Sequence, residues 1–168
     1  MRLKKKGKKV VHCHGVFDLL HVGHIRHFKQ ARKFGDVLIV TVTPDKYVNK
    51  GPHRPAFTEK LRAEVLSTLD CIDYVAINKW PTAVDTIKLL KPDFYVKGAE
   101  YGSPKNDFSK KIIDEEKAVK EVGGEIKYTE DITFSSTNLV NRYLSVFPKE
   151  VEDYLIDFSK KYSPKQLI

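Results

Sequence analysis

The sequence predicts an α/β protein of the Rossmann-like class: a doubly wound, parallel, five-stranded sheet with a helix appended at its C-terminal end. Three observations predict it. Short β-branched runs alternate with amphipathic stretches along most of the chain, a glycine turn joins the first run directly to the first helix, and no internal repeat or low-complexity tract breaks the alternation. A βαβα order implies right-handed crossovers and places the ligand crevice at the carboxyl ends of the strands.

Val10-Val-His-Cys-His14 reads as a buried first strand. The helix after it runs from Val22 to about Phe34, with Val22, Ile25, Phe28 and Ala31 forming one apolar stripe. Val37 to Thr43 is a second buried strand, and Pro44-Asp45 then turns the chain into the loop Lys50-Gly-Pro-His-Arg-Pro55. Thr58 caps a helix reaching Leu69, with Leu61, Val65, Leu66 and Leu69 as its apolar side. Asp73 to Ile77 is the third strand, Pro81 opens a helix that Pro92 stops near Leu90, and Phe94-Tyr-Val96 is the fourth strand. A charged surface helix, Asp107 to Val122, ends at Gly123-Gly124, where a left-handed cap costs little. Glu125 to Thr129 is the fifth strand, and Ser135-Ser-Thr-Asn138 caps a last core helix to Leu144.

Residues 148–168 carry Val151, Tyr154, Leu155 and Phe158 on one stripe and read as an amphipathic extension. Such a helix packs on its own domain, pairs with a second subunit or links to a further domain. The expected organisation is a basic leader over 1–9, one domain over 10–147 and the extension over 148–168.

With 168 residues, 41% of them apolar and 31% charged, the chain can bury one sizeable core. No run approaches the ~18 apolar residues of a membrane span, and the start Met-Arg-Leu-Lys-Lys-Lys lacks a signal peptide's apolar centre. A cytoplasmic location is expected. Cys13 and Cys71 are too few for a disulfide framework and read as reduced packing residues. Of the net charge of +8, six come from Arg2, Lys4, Lys5, Lys6, Lys8 and Lys9, so the body of the domain is nearly neutral. The leader carries no base-reading pattern, which leaves a basic nucleic-acid-binding module as a rival reading only.

The chemistry concentrates in Gly15-Val-Phe-Asp18-Leu-Leu-His21-Val-Gly-His24. Residues three apart on a helix share a face, so both imidazoles converge where unpaired N–H groups and the helix dipole already favour a phosphate. Gly23 is expected to keep the space between the rings open. Asp18 is expected to order its turn through backbone hydrogen bonds, Phe17 to lie in the core and His27 to face solvent. His12, His14, His21, His24 and His27 also raise zinc, but neither a cysteine pair nor an i, i+4 histidine pair occurs among them. No P-loop and no Gly-x-Gly-x-x-Gly is present, which argues against ordinary kinase and dehydrogenase sites.

This phrase resembles the nucleotidyltransferases of the cytidylyltransferase-like superfamily, whose signature is His-x-Gly-His after a first strand. The resemblance extends through Lys50, Gly51, Arg54, Pro55 and Arg62, loosely through Lys97 to Tyr101, and through Gly123-Gly-Glu125 with Ser135-Ser-Thr-Asn138. It is closest to the adenylyltransferase branch that makes ADP-heptose, and next to glycerol-3-phosphate cytidylyltransferase. It implies transfer of a nucleoside monophosphate from ATP or CTP to a phosphorylated sugar or polyol, with release of pyrophosphate.

The same resemblance implies catalytic roles for His21, His24 and Lys50. Nucleotide contacts would come from Gly15, Val16, Phe17, His24, Lys97, Gly98, Glu100, Ser135, Ser136 and Thr137. Acceptor contacts would come from His14, Asp18, Arg54 and Arg62. Mg²⁺ should accompany the triphosphate without a committed protein ligand, a homodimer is expected, and a sugar-kinase domain or partner would lie outside this chain. The sequence departs from the family at His12 and His14, at Glu100 and at Arg142. His14 is expected beside the nucleotide pocket, and His12 on the other side of the strand.

Overall fold

The computed structural model describes residues 7–51, 53–99, 111–130 and 148–161. Five parallel strands, β1 (Val10–Gly15), β2 (Val37–Val42), β3 (Tyr74–Ile77), β4 (Phe94–Gly98) and β5 (Glu125–Thr129), form one sheet in the order β3-β2-β1-β4-β5. The helices are α1 (Val22–Arg32), α2 (Glu59–Ser67), α3 (Val84–Leu90), α4 (Lys111–Glu121) and α5 (Lys149–Lys161). A 3₁₀ turn, Asp45–Tyr47, follows β2. The strand order reverses between β1 and β4, which opens a crevice at the carboxyl end of β1. The alternating order predicted from sequence is therefore the observed architecture.

Strand alternation divides the core. Val11 and Cys13 of β1, with Leu38, Val40 and Val42 of β2 and Val96 of β4, face Phe28 and Ala31 of α1 and Leu66 of α2. On the opposite face, Tyr95 packs with Ile87 of α3 and Ala118 and Val119 of α4. Each fully buried valine, leucine, isoleucine or phenylalanine among them contributes roughly 1.5–3 kcal/mol. Aspartates secure the strand entrances: Lys9 N–H donates to Asp36 (2.8 Å), Val10 N–H to Asp93 (2.7 Å) and Leu38 N–H to Asp73 (2.7 Å). Strand β4 runs two residues beyond the predicted Val96, and α3 begins at Val84 rather than Pro81.

The apolar stripes are narrower than their spacing suggests. Val22, Leu61 and Val65 are each 47% exposed, because α1 and α2 contact the sheet chiefly through Phe28, Ala31 and Leu66. Cys13 is buried and Cys71 half-buried, both as free thiols.

The chain divides into two compact units, residues 1–133 and 134–168. Helix α5 lies in the second unit and exposes Val151, Tyr154, Leu155 and Ile156. Among the described residues no helix is long and apolar enough to cross a membrane.

Candidate active site

The turn from β1 into α1 builds the centre. His21 is the N-cap of α1 with extended backbone, and its Nδ1 accepts from Gly23 N–H at 3.1 Å. His24 sits at N3 and its Nδ1 accepts, at 3.4 Å, from His21 N–H. The three-residue spacing thus makes a reciprocal capping box out of two histidines. Because both Nδ1 atoms accept backbone hydrogens, each ring carries its proton on Nε2, the atom it can offer as a donor. No acidic residue occupies the first turn, so the positive end of α1 is uncompensated.

The rings lie with centroids 3.9 Å apart and planes inclined by 34°. They tilt against each other at close range, the open gap expected over Gly23 is absent, and His21 Nε2 is buried. Burial, then the His21, His27 and Lys50 charges, lowers the His24 pKa to about 3, so this imidazole is a neutral donor at physiological pH.

Asp18 does more than order its own turn. Its buried carboxylate accepts from Arg54 Nε at 2.6 Å and from the backbone N–H groups of Ala56 (2.7 Å) and Phe57 (3.2 Å), fastening the Arg-Pro loop to the β1–α1 turn. Arg54 Nη2 is buried with no hydrogen-bond partner among the described residues, a donor left open for an anion. Partial burial of the Lys50 ammonium, then the Arg54 cation, lowers the Lys50 pKa. Lys50 and Arg54 thereby form a cationic pair, and the Lys50 charge reaches the neutral His24 imidazole.

Arg62 is not part of it. Only 2% exposed, it donates to the carbonyls of Phe57 (2.9 Å), Thr43 (2.8 Å) and Val16 and to the Asp45 carboxylate (2.6 Å). Each of its three nitrogens is committed within the chain, so the expected acceptor contact is corrected to a structural one. Asp45 and Glu59 complete that clasp by accepting each other's backbone N–H groups, at 3.1 and 2.8 Å.

His12 and His14 share a face, correcting the expectation that they point opposite ways: residues two apart in a strand line the same side. His12 Nε2 and His14 Nδ1 both lie 2.8 Å from Thr41 Oγ1, and His14 Nε2 lies 3.2 Å from Thr43 Oγ1. His14 thus stands at the crevice with both ring nitrogens engaged, while His12 is fully buried and burial drives its pKa well down. His27 is half-buried and bonded to Thr129 Oγ1 at 2.9 Å instead of facing solvent, and burial lowers its pKa to about 4.

Lys97 is likewise corrected. Its ammonium is buried 3.0 Å from Glu115 Oε2, which also accepts from Tyr95 OH at 2.9 Å, so Lys97 ties β4 to α4 rather than facing a nucleotide. Gly15, Val16 and Phe17 lie at the carboxyl end of β1, with the Phe17 ring against His24, and Gly98 lies at the carboxyl end of β4. Glu100, Ser135, Ser136 and Thr137, together with Tyr101 and Arg142, lie outside the described residues.

Sequence reasoning missed Thr41, Thr43 and Glu115. The threonines had a signal: two polar residues at period two in an apolar strand, matching His12 and His14 at period two in the neighbouring one. Glu115 had none, since a glutamate in a charged helix looks solvated. Among the described residues no group of three or more His, Cys, Asp or Glu side chains is placed to hold a metal ion.

Residues 12–143 match the family model described as cytidylyltransferase-like. The chain is 38% identical, over 88% of its length, to the bifunctional protein HldE of Geobacter metallireducens. It is 40% identical, over 84% of its length, to HldE of Aliarcobacter butzleri. It spans less than a third of these relatives, 29% and 28% respectively. Among solved structures, a lipopolysaccharide core biosynthesis protein from Thermoplasma volcanium aligns with TM-score 0.60 and 26% identity, covering 77% of this chain and all of that one. Pantoate-β-alanine ligase from Francisella tularensis, at 15% identity and TM-score 0.60 over 90% of this chain and 71% of that one, shares the fold. With its paired histidines at the carboxyl end of the first strand, the chain belongs to the cytidylyltransferase-like family of nucleotidyltransferases.

Proposed function

We propose that this chain transfers a nucleoside monophosphate from ATP or CTP to a sugar 1-phosphate of the heptose 1-phosphate kind, releasing pyrophosphate and supplying a nucleotide-activated sugar. An oxygen of the acceptor phosphate attacks the α-phosphorus, and the bond from the α-phosphorus to the bridging oxygen breaks. The acceptor is already ionised, so the site needs fixed donors more than a general base.

The observation that carries this reading is the close His21–His24 pair, capped through both Nδ1 atoms so that His24 keeps its Nε2–H as a donor at a helix N-terminus with no acidic residue in its first turn. Lys50 and the buried Arg54 Nη2, which has no hydrogen-bond partner among the described residues, would add donors for the acceptor phosphate. Charge developing on the α-phosphate oxygens and on pyrophosphate would be met by these groups without reorganisation. Gly15, Val16 and Phe17 supply the turn on which the nucleotide would rest, and His14 a wall of the acceptor pocket.

Mg²⁺ would arrive on the triphosphate, held by phosphate oxygens and water, because Asp18, the buried carboxylate at the site among the described residues, is consumed by Arg54 and two backbone amides. It would neutralise charge on the leaving pyrophosphate.

The test is a thermal-shift panel of ATP, CTP, GTP and UTP with Mg²⁺, followed by pyrophosphate release with heptose 1-phosphate, other sugar 1-phosphates and glycerol 3-phosphate. A ligand at 100 times its Kd adds ~2.7 kcal/mol, a shift of several degrees. Release only with glycerol 3-phosphate would replace the sugar by a polyol, and silence for every pair would overturn the reading.

A further inference from the structure

Phe17 occupies a backbone position that suits glycine better: its φ is +48°. A strained residue is retained where the surroundings over-determine it, and here the surroundings are aromatic. The Phe17 ring lies 5.5 Å from the His24 ring, nearly perpendicular at 83°, and 5.0 Å from the Phe28 ring. Gly15 vacates the space this ring needs, since a Cβ there would stand 2.8 Å from Phe17 Cζ. Phe17 also borders a mostly apolar recess of about 230 Å³ shared with Leu20, Phe57, Leu61 and Leu66, with Asp18 and Arg62 in its wall. The ring is therefore held by His24, Phe28 and the glycine turn rather than by dense packing all round, and it has somewhere to go if displaced.

We propose that Phe17 is a positioning residue for His24: its ring shields one side of the imidazole from water and fixes the orientation in which Nε2–H is presented to the reacting phosphates. This deepens the nucleotidyl-transfer reading and rests on it. The charged or titratable groups that act on His24 are His21 and His27 from its own helix and Lys50 from the loop after β2, while Phe17 is the neutral wall contributed by the β1–α1 turn. Burial is the largest cause keeping His24 unprotonated, so opening that wall should let the imidazolium form more readily.

The experiment follows the His24 imidazole by NMR from pH 8 to 4.5 in the full chain, assigned with His24→Asn, in wild type, Phe17→Leu and Gly15→Ala. Phe17→Leu keeps apolar bulk but removes the ring, and Gly15→Ala pushes the ring toward the recess. In wild type His24 should not titrate in this range. In either folded variant its midpoint should rise by about two pH units, from about 3 into the range, with His27 unmoved. The kcat profile should gain an acid limb at the new midpoint.

A folded variant whose His24 stays silent down to pH 4.5, or whose kcat falls equally at all pH values, would overturn the proposal. The imidazole signal does not depend on turnover. Absence of pyrophosphate release in wild type would sink the enzymatic reading while leaving the Phe17–His24 coupling visible.

Discussion

Acidification should cost this protein far more stability than its carboxylates alone would suggest, because the fold holds histidines neutral. In the unfolded chain each imidazole takes up a proton near the ordinary 6.5, whereas burial delays that uptake to about 3 for His24 and about 4 for His27. Between those values the unfolded state binds more protons than the folded one, so stability falls as pH drops through 6.5. At pH 5 the gap is 1.5 units, and at about 1.36 kcal/mol per unit each histidine withdraws about 2 kcal/mol, or about 4 for the pair. His12, fully buried and shifted the same way, adds to the loss. A total stability of ~5–15 kcal/mol leaves little margin. Urea unfolding at pH 7.5 and pH 5 measures the difference directly. His27→Gln, which can still reach Thr129, should lose about half of the pair's effect while costing only ~1 kcal/mol at pH 7.5. A change below ~1 kcal/mol between the two pH values, or an identical pH dependence in His27→Gln, would refute the reasoning.

His24→Ala should lower turnover by ~10²–10³, the loss expected for one preorganised donor, with an unchanged circular dichroism spectrum; wild-type turnover would remove His24 from the chemistry. Arg62→Ala should destabilise by ~3–5 kcal/mol in urea, since it strands the Asp45 carboxylate and three carbonyls, and a variant as stable as wild type with only a raised acceptor KM would restore the acceptor-binding role. Lys97→Met or Glu115→Gln alone should each cost ~3–5 kcal/mol, and Lys97→Met combined with Glu115→Leu distinctly less than the sum, as measured by a double-mutant cycle. Arg54→Met should raise KM for the phosphorylated acceptor at least ~10-fold and change kcat less, the signature of lost uniform binding; an unaltered KM would place Arg54 outside the acceptor site.

The order of elements, the parallel sheet and the histidine pair at the first strand–helix junction follow from the sequence alone. They depend on local information: β-branched runs, caps, prolines, and a three-residue spacing that serves both the capping box and a shared helix face. Tertiary structure decided which polar side chains remain available for chemistry. Lys97, Arg62, Asp18 and Arg54 look alike as charged residues in motifs, but availability depends on partners far away in sequence. Glu115 neutralises Lys97 from 18 residues on, Asp45 and the Val16 and Thr43 carbonyls absorb Arg62, and Asp18 consumes part of Arg54 while leaving Nη2 open. A buried cation persists only where its hydrogen bonds are met, and that condition is set by the packing of strands and helices. The neutrality of His24 is a tertiary property for the same reason, since three residues of local spacing can aim a ring but only surrounding side chains can remove its water.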